Sequence, residues 1–145
     1  MKQKYQKSLG YALSQVTRVW NQRFMDILRS KGYYNLKPSF CAVFFPLFEN
    51  DGQSASELAR ATKMTKQTIG IYVRELHQRG YIKLVNDARD KRVRRIFLTA
   101  KGSMLQKIFE STNLTLSKEI CGHLHTNESL QLSMLLEKCL ASNKK

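Results

Sequence analysis

Between Ser54 and Thr99 the hydrophobic pattern passes from a helical period to an alternating one, and that change leaves few folds open to the chain. Ser54-Ala55-Ser56-Glu57 sets a serine three residues before a glutamate, a pair that can satisfy orphan helix N–H groups reciprocally. A short helix is expected from there to about Ala61. Thr65 is placed to cap the next, which runs to about Gln78 with Ile69, Tyr72, Val73 and Leu76 on its inner stripe. Gly80 suits the position just past a helix end, where left-handed backbone is common. Tyr81 to Val85 and Val93 to Leu98 then read as hairpin strands around a polar, charged tip, Asn86 to Arg92. Two short helices followed by a basic hairpin predict a winged helix-turn-helix, in a fold that is mainly α with a small β-hairpin wing.

The flanks are helical. From Tyr5 to Arg29, apolar residues including Leu9, Leu13, Val16, Trp20, Phe24 and Leu28 recur at three- and four-residue steps, predicting one long amphipathic helix that Gly32 ends. Leu36-Lys37-Pro38-Ser39 begins a Phe-rich helix with its proline near the first turn, where a missing N–H matters little, and Asn50-Asp51-Gly52 closes it. Thr99 can cap a helix to about Cys121, and Thr126 to about Leu140 forms the last. A chain of 145 residues suits one domain, 1–145, with the winged-helix lobe at 36–99.

The formal charge of +14 attracts polyanions, and its distribution is informative: Arg60 to Lys101 holds 12 basic and 3 acidic residues. An exposed face of Lys66, Gln67, Gly70, Ile71 and Arg74 lies opposite the apolar stripe of the second short helix, with Thr65 and Thr68 at its start. Such a face can read duplex DNA in the major groove: Gln67 pairs with an adenine edge, Lys66 or Arg74 with guanine or phosphate, and Ile71 with a thymine methyl. Gly70 gives up about 1 kcal/mol of helix propensity, either for close approach to DNA or through packing tolerance. In the hairpin, Arg89, Lys91, Arg92 and Arg94 suit phosphates or a narrow minor groove, and an aspartate beside a tip arginine can aim it outward. The same charges also suit a solvated turn that prevents edge aggregation. Two rival readings use the same basic surface: an RNA- or protein-binding winged helix, and a non-specific nucleoid-coating protein.

Several classes are disfavoured. No run of about 18 apolar residues is present, and Met1 to Lys7 leads into no signal-peptide pattern, so a cytoplasmic protein without membrane partners is expected. Cys41, Cys121 and Cys139 lack C-x-x-C spacing, and Cys121-Gly122-His123-Leu124-His125 lacks the paired spacing of a structural zinc site. No nucleophile, base and orienting acid can be assembled, and neither G-x-G-x-x-G nor a Walker sequence occurs. No enzyme activity, cofactor or metal is expected.

Asp87-Ala88-Arg89-Asp90-Lys91-Arg92 followed by Leu98-Thr99-Ala100-Lys101-Gly102 resembles the D-x-R-D-x-R wing and L-T-x-x-G motif of the multiple-antibiotic-resistance regulator (MarR) family. Glu57-Leu58-Ala59, Thr68-Ile69, Val73, Leu76 and Arg79-Gly80-Tyr81-Ile82 extend the resemblance over nearly the whole chain. It implies a homodimeric transcription regulator, with helices in 1–31 and 100–145 intertwined and two recognition helices on a pseudo-palindromic operator. Two-fold symmetry would set half-sites about 10 base pairs apart. The resemblance also implies a small aromatic or lipophilic effector between the dimerisation helices and the DNA-binding lobe. Trp20, Arg23, Tyr33, Phe40 and Phe44 are the candidate lining residues, with Tyr34, Phe45 and Arg18 as further members, although an aromatic stripe at helical spacing more often forms a core. Lys63 stands where the family often has a glycine, Ile71 where a polar residue is frequent, and Ala100 where glutamate is common.

Overall fold

The computed structural model describes residues 8–142. In chain order the elements are α1 (Leu9–Ser30), a 3-10 turn (Pro38–Phe40), α2 (Cys41–Glu49), β1 (Gln53–Ser54), α3 (Ala55–Thr62), α4 (Lys66–Gln78), β2 (Ile82–Asn86), β3 (Arg94–Leu98), α5 (Ala100–Cys121) and α6 (Thr126–Ala141). The expected N-terminal helix is present from Leu9, capped by the Ser8 side chain, while its predicted first residue, Tyr5, lies outside the described residues. The Phe-rich helix opens as a 3-10 turn on Pro38 and becomes α-helical at Cys41, later than the expected start at Leu36.

Local chemistry sets most boundaries. Ser54 and Glu57 form the reciprocal capping box of α3, Thr65 accepts from the Thr68 N–H, and Thr99 accepts from the Gly102 N–H. Each such cap contributes about 1 kcal/mol. Lys63 takes the left-handed conformation, φ 56° and ψ 28°, that a glycine would adopt in the turn between α3 and α4. The substitution therefore keeps the turn geometry and accepts a local strain of about 1–2 kcal/mol.

The hairpin belongs to a three-stranded antiparallel sheet of order β1-β3-β2. β1 was not expected: its two residues pair as Gln53↔Ile96 and Ser54↔Arg95, so the strand that precedes α3 is stitched to the wing. Leu58, Ile69, Leu76, Tyr81, Ile82 and Ile96 are fully buried where α3, α4 and the sheet meet. Phe109 of α5 packs edge-on against Phe24, Phe44, Phe45 and Phe48, which joins α1 and α2 to the C-terminal half of the chain. No residue of α6 is buried.

Candidate nucleic-acid interface

α4 presents Lys66, Gln67, Ile71 and Arg74 to solvent while Ile69, Val73 and Leu76 are buried and Tyr72 is half-buried, as the helical period predicts. Ile71 is 46% exposed, so a large apolar side chain stands among polar ones on this face. A Cβ at Gly70 would meet no atom within 4 Å. Internal packing therefore does not require the glycine. Thr65 and Thr68 are engaged at the helix start, their hydroxyls 2.8 Å apart, with the Thr68 N–H donating to Thr65 Oγ1.

The wing is held by its carboxylates. Asp87 Oδ1 accepts from the backbone N–H groups of Arg89 and Asp90, and Asp87 Oδ2 accepts from Arg95 Nε at 2.6 Å. Arg95 Nη1 continues to Glu57 Oε2 at 2.7 Å, and that same carboxylate accepts from the Ser54 N–H at 2.7 Å. An unbroken clip thus runs from the wing tip, through β3, to the cap of α3. Arg95 beside it and the two backbone donors hold the Asp87 carboxyl at about 2, well below its ordinary value. The Ser54 N–H, aided by Arg95 and Arg60, likewise lowers Glu57.

The aspartates hold two arginines, one at the tip and one on β3. Asp90 pairs with Arg92 at 3.1 Å and Asp87 with Arg95, whereas Arg89 is fixed only through its backbone and its exposed side chain projects from the tip. Lys91, Arg92 and Arg94 are exposed beside it. Charge spacing alone does not reveal Arg95, Asp87 and Glu57 as a unit, because it does not show which carboxylate lies across a hairpin.

Because the Asp87 carboxyl is depressed when folded, its contribution to stability is complete above its ordinary value of 3.8 and disappears as pH falls through about 2. The stability gap between wild type and Asp87→Asn should therefore be constant near neutrality and close across that acidic window. Denaturant melts stepped from neutral pH toward pH 2 measure it, and a gap independent of pH would contradict the clip.

The aromatic residues expected to line one cleft are divided. Phe40 and Phe44 are core, 1% and 0% exposed, and border neither of the hollows described below: the helical stripe that suggested them is a packing stripe. Tyr33 borders a different hollow, with Tyr34, Asn35, Tyr81 and Lys101, and Arg23 is paired with Glu119 at 2.9 Å. Trp20 does face a cleft of about 350 Å3, where Phe24, Phe45, Cys41, Asn21 and Asn113 join it at the meeting of α1, α2 and α5. Burial pushes the Cys41 thiol up to about 11, which suppresses its thiolate near neutrality.

A capped helix pair with a solvent-facing second helix, flanked by a clipped basic hairpin, defines the winged helix-turn-helix class of DNA-binding proteins. The model of the MarR family matches residues 47–93. The chain is 30% identical over 125 residues to the HTH-type transcriptional regulator PrsX of Escherichia coli, covering 83% of this chain and 75% of PrsX. It therefore belongs to the MarR family of transcriptional regulators, which are DNA-binding proteins and not enzymes. The fold agrees with solved structures: a MarR regulator of Methanosarcina mazei Go1 (TM-score 0.81, 20% identity, 92% of this chain and 94% of that one) and a mutant Escherichia coli MarR complexed with operator DNA (TM-score 0.80, 18% identity, 91% and 93%). Bordetella bronchiseptica BpsR, whose DNA binding is regulated by 6-hydroxynicotinic acid, superposes with TM-score 0.81 at 18% identity over 97% of both chains. Among the described residues no helix is long and apolar enough to cross a membrane.

Proposed function

We propose that this regulator is a homodimer that reads a pseudo-palindromic duplex operator, with Gln67, Ile71 and Arg74 at base edges and Arg89 in the flanking minor groove. The observation that carries the reading is the pairing of an outward polar face on α4 with a wing locked to α3 through Asp87, Arg95 and Glu57. A rigid wing lets one docking geometry serve both contacts, and the operator complex of the mutant Escherichia coli MarR, which shares the fold, supports the DNA target. Dimer formation is supported by the apolar side chains left exposed on α1 and α6.

Selection from random-sequence DNA by the purified protein should recover inverted half-sites about 10 base pairs apart. Recovery of no shared motif would favour a coating protein instead. Arg89→Ala should weaken duplex binding and lower the salt slope by about one counterion, measured by fluorescence anisotropy across a salt series. An unchanged slope would remove the wing tip from the interface.

Ligand response is assigned to the cleft at Trp20. Its size, about 350 Å3, suits a single-ring aromatic, and Asn21 and Asn113 offer amide groups to a polar substituent. Its position between the terminal helices and α2 would let a bound ring bias the angle between them. Quenching of Trp20 fluorescence by single-ring aromatic acids, together with release of duplex, reads this directly.

A further inference from the structure

A second cleft, of about 480 Å3, opens between the first turn of α3, the start of α4 and β3. Arg60, Lys66, Arg92, Arg94 and Arg95 line it against a single acid, Glu57. Their charges are not equally available. Arg95 is committed to Asp87 and Glu57, and Arg92 to Asp90. Lys66 and Arg94 make no ion pair among the described residues, and Arg60 exerts only a longer-range pull on Glu57. The Glu57 carboxylate is already engaged by the Ser54 N–H and Arg95, so it offers the uncommitted cations little.

Three cations facing a polar hollow, over a floor whose charges are internally paired, match a tetrahedral phosphate group. From this juxtaposition we infer that the cleft is a phosphate clamp. Arg60 and Arg94 close on one backbone phosphodiester of the bound duplex, and Lys66 neutralises it from the start of α4. This rests on the DNA-binding reading above and deepens it: Lys66 and Arg94 become backbone anchors instead of base or minor-groove readers, and Arg60 on α3 joins the interface. The Asp87–Arg95–Glu57 clip acquires a second task, holding β3 at the distance from α3 that the clamp requires. A phosphate gripped here fixes the depth at which α4 enters the groove, without specifying sequence.

The full-length protein tests it as wild type, Arg60→Gln, Arg94→Gln, the double variant, and Arg60→Lys with Arg94→Lys. Arg60 and Arg94 are exposed, and unfolding midpoints verify that each variant folds. The slope of log affinity against log salt should fall by up to about 0.9 in the double glutamine variant, the share of the single phosphate held, by less in each single variant, and should be restored in the double lysine variant. Affinities for the selected site and for random duplex should drop by similar factors, with the selected motif unchanged. Wild-type binding with unaltered slopes in the glutamine variants would overturn the clamp alone, as would a shift in the selected motif. Absence of duplex binding by the wild type would overturn the proposed function and the clamp with it. Titration of DNA-free protein with inorganic phosphate, at matched ionic strength, separates the two sources of phosphate. A saturable thermal shift that disappears in the double glutamine variant would assign the cleft to a free phosphate and overturn its assignment to the duplex.

Discussion

The double substitution Leu132→Glu, Leu135→Glu is expected to leave the protein monomeric and to weaken binding to its selected operator by about 10²–10⁴-fold. Both residues are exposed in the single chain, at 43% and 57%, and with Leu136 and Leu140 they line one side of α6. α6 buries none of its own residues, so within one chain this helix gains almost nothing from the hydrophobic effect. A matching row on α1, Leu9, Leu13 and Val16, is exposed as well. In the proposed homodimer a second copy of the chain would cover both rows at once. Carboxylates introduced in such an interface would have to be desolvated, which opposes association by several kcal/mol. Each half-site contact would survive, but the second would no longer follow the first at high effective concentration. Light scattering reports the mass and anisotropy the affinity. A variant that stays dimeric would mean that the α6 stripe faces solvent in the working protein.

What could be read in the sequence divides by the range of the forces involved. The caps at Ser54, Thr65 and Thr99 were legible because each hydroxyl acts within its own first turn. The inner stripe of α4 was legible for the same reason, since period alone fixes which residues share a face. β1 was not, because two residues carry no pattern and Gln53-Ser54 is a strand only by virtue of pairing with β3. The aromatic residues show the limit most plainly. Phe44 and Phe45 are neighbours on α2, yet the first is sealed in the core and the second borders the Trp20 cleft. Phe109 packs against both, whereas Tyr81 at the start of the wing packs edge-on against Phe44, and helical spacing carries no information about such contacts. Arg60 shows the same limit, since only the fold brings β3 alongside it.

Gly102→Ala should destabilise the protein by about 2–3 kcal/mol and lower its unfolding midpoint by several degrees, although helix propensity alone predicts a gain of about 1 kcal/mol. Gly102 lies in the first turn of α5, and a Cβ there would stand 2.1 Å from the Tyr81 carbonyl oxygen. That oxygen is backbone, already accepting from the Thr99 N–H at 3.0 Å, so no rotamer change can relieve the overlap. Tyr81 is itself fixed, with its ring buried against Phe44, Lys101 over one face and its hydroxyl donating to Asn35 Oδ1. Relief would require α5 to withdraw from the start of the wing, loosening one of the junctions through which the C-terminal helices orient the DNA-binding lobe. The glycine of the L-T-x-x-G motif is thus a close-approach residue, and the threonine caps the helix that makes the approach. Gly70→Ala supplies the contrast. With no atom within 4 Å of its Cβ position, it should stabilise the protein by up to about 1 kcal/mol while weakening operator binding. Melts of the two variants at one protein concentration should therefore move in opposite directions. A shared direction would mean that propensity outweighs contact at Gly102, or that Gly70 is packed after all.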